Sequence, residues 1–551
     1  MSVSRISLPL WRHAIAGGIY AALSYALLCH GAGLTDHILG IGSDPYLFIW
    51  HLAWWPWALM NHINLQHTAL VWQPEGLDIA WTTSVPLLAL LATPVTLLLS
   101  PVFSLNLLTL LAPVCNGLAA YWLCLNLTRN FWAAFLGGLL YSFSGYFMGE
   151  ALEDLNLQFG FAEPLLLWLF ISRIHNQITR TSAILGGALL LAAQFYISIE
   201  LFAGLVLFGA LGLMMSVTLL PSYRRRLYSL LLELGFAAML TLLLISPQLI
   251  PMLVKGGDFD MPPIWPIAAA AHLGNLILPS PETLLVNPRM QPLSRGLLGL
   301  LPANDAAAGL PIVLILFGAA YSMRNKATVR LACWMLFLIL FASLGPKLWY
   351  GNLLLNTALP WALVVKLPLL KDIWPVRFAA YTSLLIAILA ACWCAQPVRW
   401  QKARYGLVVA AVLFMLPPPH PVRGLPRIDF FQPNQIRAAL GPHPKLEILP
   451  LRDGRDPAPY WQVQSGFAFE STTGYSRLPP RSVERDPAIQ YLSFGHVSAQ
   501  TAGELKAFYL RTGTQYVVAV PGTDWQALAL IKQIGWPCSH IDDVVLFKVQ
   551  P

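Results

Sequence analysis

The sequence predicts a polytopic α-helical membrane protein with a polar, mixed α/β segment at its C-terminal end. Three observations lead there. Of 551 residues, 57% are hydrophobic and only 11% are charged, against roughly 25% charged in an average soluble domain. Apolar runs long enough to cross a hydrocarbon core of roughly 30 Å recur up to about residue 419. From His420 onward the pattern breaks, and Arg, Asp, Gly and Pro become frequent.

Taken in order, the expected spans are 12–33, 103–126, 131–149, 159–174, 182–197, 199–220, 228–253, 304–323, 329–345, 376–396 and 404–419. The amino-terminal run is followed by no small-residue cleavage site, so it reads as an uncleaved first span. The stretch Ser84 to Ser100 is short and carries Pro86 and Pro94. Its crossing is decided by the basic clusters: Arg5 with Arg12, Arg129, Arg173 with Arg180, Arg224 to Arg226, Arg324 with Lys326 and Arg330, and Arg399 with Lys402 and Arg404. All fall on one face only if 84–100 does not cross. Positive charge marks the cytoplasmic side, so 84–100 is expected to be re-entrant or interfacial, with about eleven true spans. The amino terminus is then cytoplasmic and the carboxyl terminus extracytoplasmic.

The net charge of +8 comes from these scattered clusters rather than from one basic patch, which argues against a nucleic-acid partner. The seven cysteines lie mostly within apolar runs and form no CxxC pair, so neither a metal site nor a disulfide framework is expected.

Residues 1–419 therefore read as a transmembrane domain and 420–551 as an extracytoplasmic α/β domain. In the latter, Leu446-Glu447-Ile448-Leu449, Tyr516-Val517-Val518-Ala519-Val520 and Val544-Val545-Leu546-Phe547 have strand composition. Thr501-x-x-Glu504 has the spacing of a capping box, opening a helix that Gly513 can close. A second helix is expected from about Asp524 to Ile534.

This topology gathers one set of acids on the outer face. Asp44 follows the first span in outer loop 34–83, among Tyr46, Trp50, His51, Trp54 and Trp55. Glu153 and Asp154 follow the third span. Two carboxylates at one membrane surface can share a pocket, one as base and the other tuning it or binding a cation; solvated loop acids are the plain alternative. A second set is basic: Arg289, Arg295, Lys347, Lys366, Lys371 and Arg377 lie outside against the charge rule. A phosphate or pyrophosphate at the outer surface would suit them, with headgroup contact or pairing to Asp372 as the alternative. Arg377 stands out because it opens a span. No Walker loop, GxGxxG or HExxH occurs, which disfavours chemistry driven by a bound nucleotide.

An acidic motif in the first outer loop, a re-entrant stretch, a second acid after the third span and an outer polar tail resemble the GT-C superfamily of integral-membrane glycosyltransferases. More narrowly, Tyr141-Ser142-Phe143-Ser144-Gly145-Tyr146, Ser343-Leu344-Gly345-Pro346-Lys347-Leu348, and Leu367-Pro368-Leu369-Leu370 followed by Pro375-Val376-Arg377-Phe378 resemble bacterial YfhO-like membrane proteins. Tyr460-Trp461-Gln462 and Gly474-Tyr475-Ser476-Arg477 are similar to that group's outer domain. The second acidic motif departs from the pattern, which has a His before Leu-Asn where Asp154 stands.

The resemblance implies an inverting glycosyltransferase of the bacterial cytoplasmic (inner) membrane. A polyprenyl-phosphate-linked sugar would be the donor, and an extracytoplasmic glycan, lipid or protein the acceptor. It assigns Asp44 as general base with Asp154 and Glu153 beside it. Arg377, Lys371, Lys347 and Arg289 would hold the phosphate, and Tyr46, Trp50 and His51 would contact substrate. Whether a divalent cation, Mg or Mn, bridges carboxylates and phosphate is left open. Two other readings stand beside this one: a lipid or glycan transporter (flippase), and a non-catalytic envelope assembly protein of the same shape. Few acids lie within the spans, Glu200 and Glu233 among them, and no internal repeat is evident, which weighs against transport.

Overall fold

The computed structural model describes residues 9–255, 265–272, 274, 283–284, 309–350, 353–366, 373–474 and 479–551. Helix accounts for 64% of the described residues, as expected where spanning segments must satisfy their own backbone polar groups. Among the described residues, six helices are long and apolar enough to cross a membrane: Pro101–Thr128, Leu155–Ile174, Arg180–Ile197, Ile199–Leu219, Pro221–Val254 and Pro375–Cys394. Four shorter apolar helices, Pro86–Leu98, Phe131–Ser142, Leu310–Ser322 and Ala327–Ser343, accompany them. The Pro86–Leu98 helix has 13 residues, about 20 Å of rise, and so falls short of the hydrocarbon thickness.

The chain divides into two compact units. The first comprises Met1–Ala32, Leu107–Ile245 and Pro262–Val422. At its centre the Phe131–Ser142 helix packs on Ala379–Cys394, and 83% of the latter's spanning window is buried. Small residues allow the approach: a Cβ on Gly137 would lie 3.3 Å from that of Ala391, and on the neighbouring Gly138 it would lie 2.7 Å from the Gly117 carbonyl and 2.2 Å from the Tyr20 hydroxyl. Between apolar helices in lipid, such contact replaces the hydrophobic drive that water would supply. Tyr20 donates to the Phe135 carbonyl at 2.9 Å, so the buried hydroxyl is satisfied. The windows of Ile199–Leu219 and Pro221–Val254 are only 17% and 28% buried, which marks them as the rim of this unit.

The second unit comprises Gly33–Asn106, Ser246–Met261 and Arg423–Pro551. Its five-stranded sheet runs Cys538–Ile541, Val544–Lys548, Tyr516–Ala519, Lys445–Ile448, Glu470–Ser471. Lys445–Ile448 pairs parallel with both neighbours, and the other two pairings are antiparallel. Leu505, Phe508, Tyr509, Ala527 and Ile531 come from helices Thr501–Thr512 and Trp525–Ile534 to cover Val517, Ala519 and Phe547. Asp524 caps the second of these by accepting from the Gln526 and Ala527 amides, and Gly513 closes the first with φ 71°.

The capping box differs from expectation. Thr501 is already helical, with Gln500 at the cap position; its hydroxyl accepts from the Ser498 amide at 2.8 Å, while the Ser498 hydroxyl accepts from the Gln500 amide. The upstream serine competes for the same local donors, and the chain turns three residues earlier.

The first outer loop belongs to this second unit. Residues 70–73 run beside Glu470–Ser471, with Ser471 N–H donating to Leu70 and Gln73 N–H to Ser471. Gln462, fully buried, ties three segments: it accepts from Trp50 Nε1 at 2.6 Å and donates to the Leu70 and Phe469 carbonyls at 3.0 and 2.9 Å. Replacing it by Leu leaves the Trp50 N–H and the Phe469 carbonyl without partners, each worth about 1–3 kcal/mol, while the Leu70 carbonyl keeps the Ser471 N–H. Gln462→Leu is therefore expected to destabilise the protein by about 2 kcal/mol or more, read as a lowered thermal midpoint of the purified full chain. An unchanged midpoint would remove Gln462 from this role.

Candidate functional site

In the first unit, three chain segments bring ionisable side chains together. The first is the turn after helix Gly145–Glu150. The Asp154 amide donates to the Glu150 carbonyl at 2.9 Å, closing the turn. Gln158 also donates to that carbonyl, and Asn116, fully buried, donates to Gln158 and accepts from Gly160 N–H. The turn is thus fixed by a side chain from a neighbouring helix. Tyr141, opening the Tyr-Ser-Phe-Ser-Gly-Tyr motif, reaches Glu163 at 2.9 Å and the Gly160 carbonyl at 2.7 Å, securing the next helix behind it.

The second segment is Trp374-Pro375-Val376-Arg377. A residue before proline avoids helical backbone, and Trp374 is extended at φ −82°, ψ 113°. Pro375 then opens a 3-10 turn that leads into the Ala379–Cys394 helix. Val376 N–H donates to the Ala269 carbonyl at 3.0 Å, and the Arg377 guanidinium lies over the Trp374 ring at 4.2 Å.

The third is the start of helix Ile199–Leu219, where Ser198 accepts from the Leu201 amide as its cap. Glu200 occupies the first turn, where the helix dipole favours a carboxylate.

These segments meet at Arg377, whose side chain is 13% exposed. Nη1 donates to Glu200 Oε2 in a short contact. Nε lies 3.9 Å from Glu150 Oε1, and Nη2 lies 3.7 Å from Asp154 Oδ2. The last two are ion-pair distances beyond hydrogen-bond range, and Nε has no hydrogen-bond partner. One edge of the guanidinium is committed, while the Nε–Nη2 fork faces two carboxyls without being bonded to them.

One guanidinium among three carboxylates leaves excess negative charge if all are ionised. Glu150 and Asp154 relieve it. Burial raises the Glu150 carboxyl well above the usual carboxylate range, Arg377 opposes this, and Asp154 raises it further. Asp154 is also raised by burial, although Glu150 acts on it in the lowering direction through their hydrogen bond. Both carboxyls are thus shifted toward the protonated form, and the pair titrates as a unit. Neither Glu150 oxygen has a hydrogen-bond partner.

Asp44 lies in the second unit, at the first turn of helix Asp44–Met60, half-buried. Tyr46, Trp50 and His51, expected as substrate contacts, are each at most 2% exposed. Trp50 stacks on Trp54 at 5.2 Å, His51 stands edge-on to Trp50, and Phe467 closes over both tryptophans. Burial pushes His51 down to about 3, so its imidazole is neutral. The Arg423 guanidinium sits 5.2 Å over the Tyr46 ring.

Glu153 is half-buried beside Asp154. Lys347 is half-buried in the hairpin of Lys347–Tyr350 with Leu353–Ala358. Arg289, Arg295, Lys371 and Asp372 lie outside the described residues. Among the described residues, no three His, Cys, Asp or Glu side chains converge to hold a metal ion; Arg377 is what the three carboxylates share.

Glu150 and Glu200 were not singled out from the sequence. Glu150 had a signal, standing four residues before Asp154 and thus one turn away. Glu200 had another: an acid inside an apolar run is rarely idle.

No protein-family model matches the chain. No curated protein matches it either. Solved structures share its fold. The arabinofuranosyltransferase AftD from Mycobacteria matches with a TM-score of 0.58 and 11% identity, over 99% of this chain and 40% of AftD. The oligosaccharyltransferase of Archaeoglobus fulgidus matches with a TM-score of 0.51 and 11% identity, over 92% of this chain and 68% of that one. The chain thus spans about two fifths of the AftD chain. Both structures have the GT-C fold, and the likeness, at 11% identity, is one of fold alone.

The shared proton is open to measurement. Infrared spectra of the wild type at neutral pH are expected to show a protonated-carboxyl band that loses intensity in Glu150→Gln. Because both carboxyls are raised, the protonated pair favours the folded state at low pH, and that contribution falls as pH rises through the pair's titration. A spectrum identical in the variant would exclude a proton on Glu150.

Proposed function

We propose that this protein is a GT-C-type glycosyltransferase, transferring a sugar from a polyprenyl-phosphate donor to an extracytoplasmic acceptor with inversion. The observation that carries the reading is the Arg377 guanidinium: buried, held at one edge by Glu200, with an Nε that has no hydrogen-bond partner and an Nη2 that meets Asp154 only at 3.7 Å. A phosphate oxygen pair matches that fork in spacing and charge. The fold similarity to AftD and the archaeal oligosaccharyltransferase supports the same class.

In this reading the donor phosphate binds the Arg377 fork. The proton carried by the Glu150–Asp154 pair limits the repulsion that two ionised carboxylates would impose on it. Asp44 removes the proton from the acceptor hydroxyl as its oxygen attacks the anomeric carbon. The carbon–oxygen bond to phosphate breaks through an oxocarbenium-like state, and the phosphate leaves as an anion stabilised by Arg377. A single displacement inverts the anomeric centre. Glu153 and Asp154 tune the acidic end of the site, and Lys347, Lys371 and Arg289 add positive charge for the donor. The protein sits in the bacterial cytoplasmic membrane with its amino terminus inside, and residues 420–551 form an outer α/β domain contributing to acceptor recognition. The YfhO-like subgroup is the closer assignment within this class.

General-base assistance is worth about 10²–10⁴ in rate. Asp44→Asn is expected to lose activity by that factor while inserting normally. Lipid analysis of cells expressing either form should show one polyprenyl-phosphate sugar accumulating in the variant, which also names the donor. Transfer at the wild-type rate by correctly inserted Asp44→Asn protein would defeat the assignment of Asp44.

A further inference from the structure

Glu200 has a geometry that the proposed reaction does not by itself require. Its two carboxylate oxygens are both used, and on different partners. Oε1 accepts from the Trp374 backbone N–H at 3.1 Å, and Oε2 accepts from Arg377 Nη1. A single side chain therefore grips the segment at two points three residues apart. The Trp374 ring lies against the guanidinium between them, at 4.2 Å.

Glu200 is itself held. The Ser198 hydroxyl caps the helix at the Leu201 amide, and the Tyr381 hydroxyl donates to the Leu201 carbonyl at 2.6 Å. Gly204 lets that tyrosine approach one turn further on, since a Cβ there would lie 2.5 Å from its hydroxyl. Tyr381 belongs to the helix that Arg377 leads into. The two helix starts are thus clamped together at Tyr381 and at Glu200.

Rotation of a free arginine side chain would let any of its edges meet a ligand. With Nη1 bonded to Glu200 and Trp374 lying against the guanidinium, the bidentate edge without a hydrogen bond is Nε–Nη2, whose neighbours Glu150 and Asp154 stand off at 3.9 and 3.7 Å. We propose that Glu200 is the positioning residue of Arg377, fixing the guanidinium so that its Nε–Nη2 fork is presented to the donor phosphate. This rests on the reading of Arg377 as the phosphate-binding residue.

The proposal predicts a sign opposite to simple electrostatics. Removing a negative charge beside an anion site should tighten anion binding by Coulomb's law. Loss of positioning should weaken it instead. The probe is undecaprenyl phosphate, titrated against the purified full chain in nanodiscs and followed by native mass spectrometry, with melting curves as the folding control. Glu200→Gln preserves shape but offers one acceptor oxygen to two donors, so binding is expected to weaken about 10-fold, the loss of one charge-assisted contact. Glu200→Ala is expected to weaken it at least as much. In an Arg377→Ala background, which itself weakens binding, neither substitution should add more than about twofold, because positioned and positioning residues couple in a double-mutant cycle. Unchanged or tighter binding in Glu200→Gln overturns the proposal. So does an undiminished loss in the Arg377→Ala background, which would show Glu200 acting through the fold at large. If Arg377→Ala alone leaves binding intact, the phosphate reading of Arg377 fails first, and the inference falls with it.

Discussion

The first unit is organised around the cost of burying one positive charge. A guanidinium withdrawn from water is tolerated only when paired, and removing one partner of such a pair typically costs about 3–5 kcal/mol. Arg377, on its own 3-10 turn, is paired three times from two other segments: the end of Gly145–Glu150 with the turn after it, and the start of Ile199–Leu219. Each local device noted above serves that meeting. Pro375 sets the turn, Ser198 caps the facing helix, and Asn116 pins the acidic turn by satisfying the Gln158 carbonyl and the Gly160 amide. One guanidinium does not balance three carboxyls, and a proton shared by Glu150 and Asp154 lowers the excess from two negative charges to one.

The second unit follows a different constraint. The Asp44–Met60 helix is aromatic on faces that ordinary amphipathic patterning would leave polar, and 12 of its 17 residues are buried. In the sequence those tryptophans suggest an interfacial belt. In the structure Trp50 and Trp54 stack with each other and against Phe467, a residue more than 400 positions downstream. Period and composition alone do not distinguish a ring that faces lipid headgroups from one that faces another part of the chain, because both environments reward a large apolar surface with a polar edge. The Gln462 amide, which receives the Trp50 N–H, is the group that decides the matter.

What was legible in the sequence follows from the same distinction. The tail strands appear at Lys445–Ile448, Tyr516–Ala519 and Val544–Lys548, and the Asp524 cap opens its helix, because these are short-range signals that tertiary contact does not contradict. Arg377 was legible as a charge out of place for its side of the membrane, and Asp154 as an acid at a span end. Glu150 and Glu200 were not, since their significance lies in converging on one arginine from segments 50 and 177 residues apart from each other or from it in sequence. The Thr501 cap was misread because Ser498 offers the same chemistry three residues earlier, and spacing rules do not rank two competing hydroxyls.

Glu200 and Glu233 are a natural comparison, since both are acids in apolar helices and both meet an arginine. Glu233, 3% exposed, is bound bidentately by Arg173, Nε at 2.8 Å and Nη2 at 2.7 Å, and the remaining Nη1 donates to Asn176 at 3.1 Å. Every edge of that guanidinium is occupied, so the pair is closed and has nothing to offer a ligand. Arg377 meets Glu200 through Nη1 instead, and the fork that closes the Arg173 pair stays unbonded. Both pairs answer the same desolvation cost with the same two residue types. The difference is which edge of the arginine the protein keeps for itself, and Glu200 takes the edge that leaves the bidentate one over. An arginine bonded edge-on by its own carboxylate is a staple between helices; one bonded end-on is a held donor. The rotation that separates those states is set by a second hydrogen bond, Glu200 to the Trp374 amide, which the Arg173–Glu233 pair lacks among its described contacts.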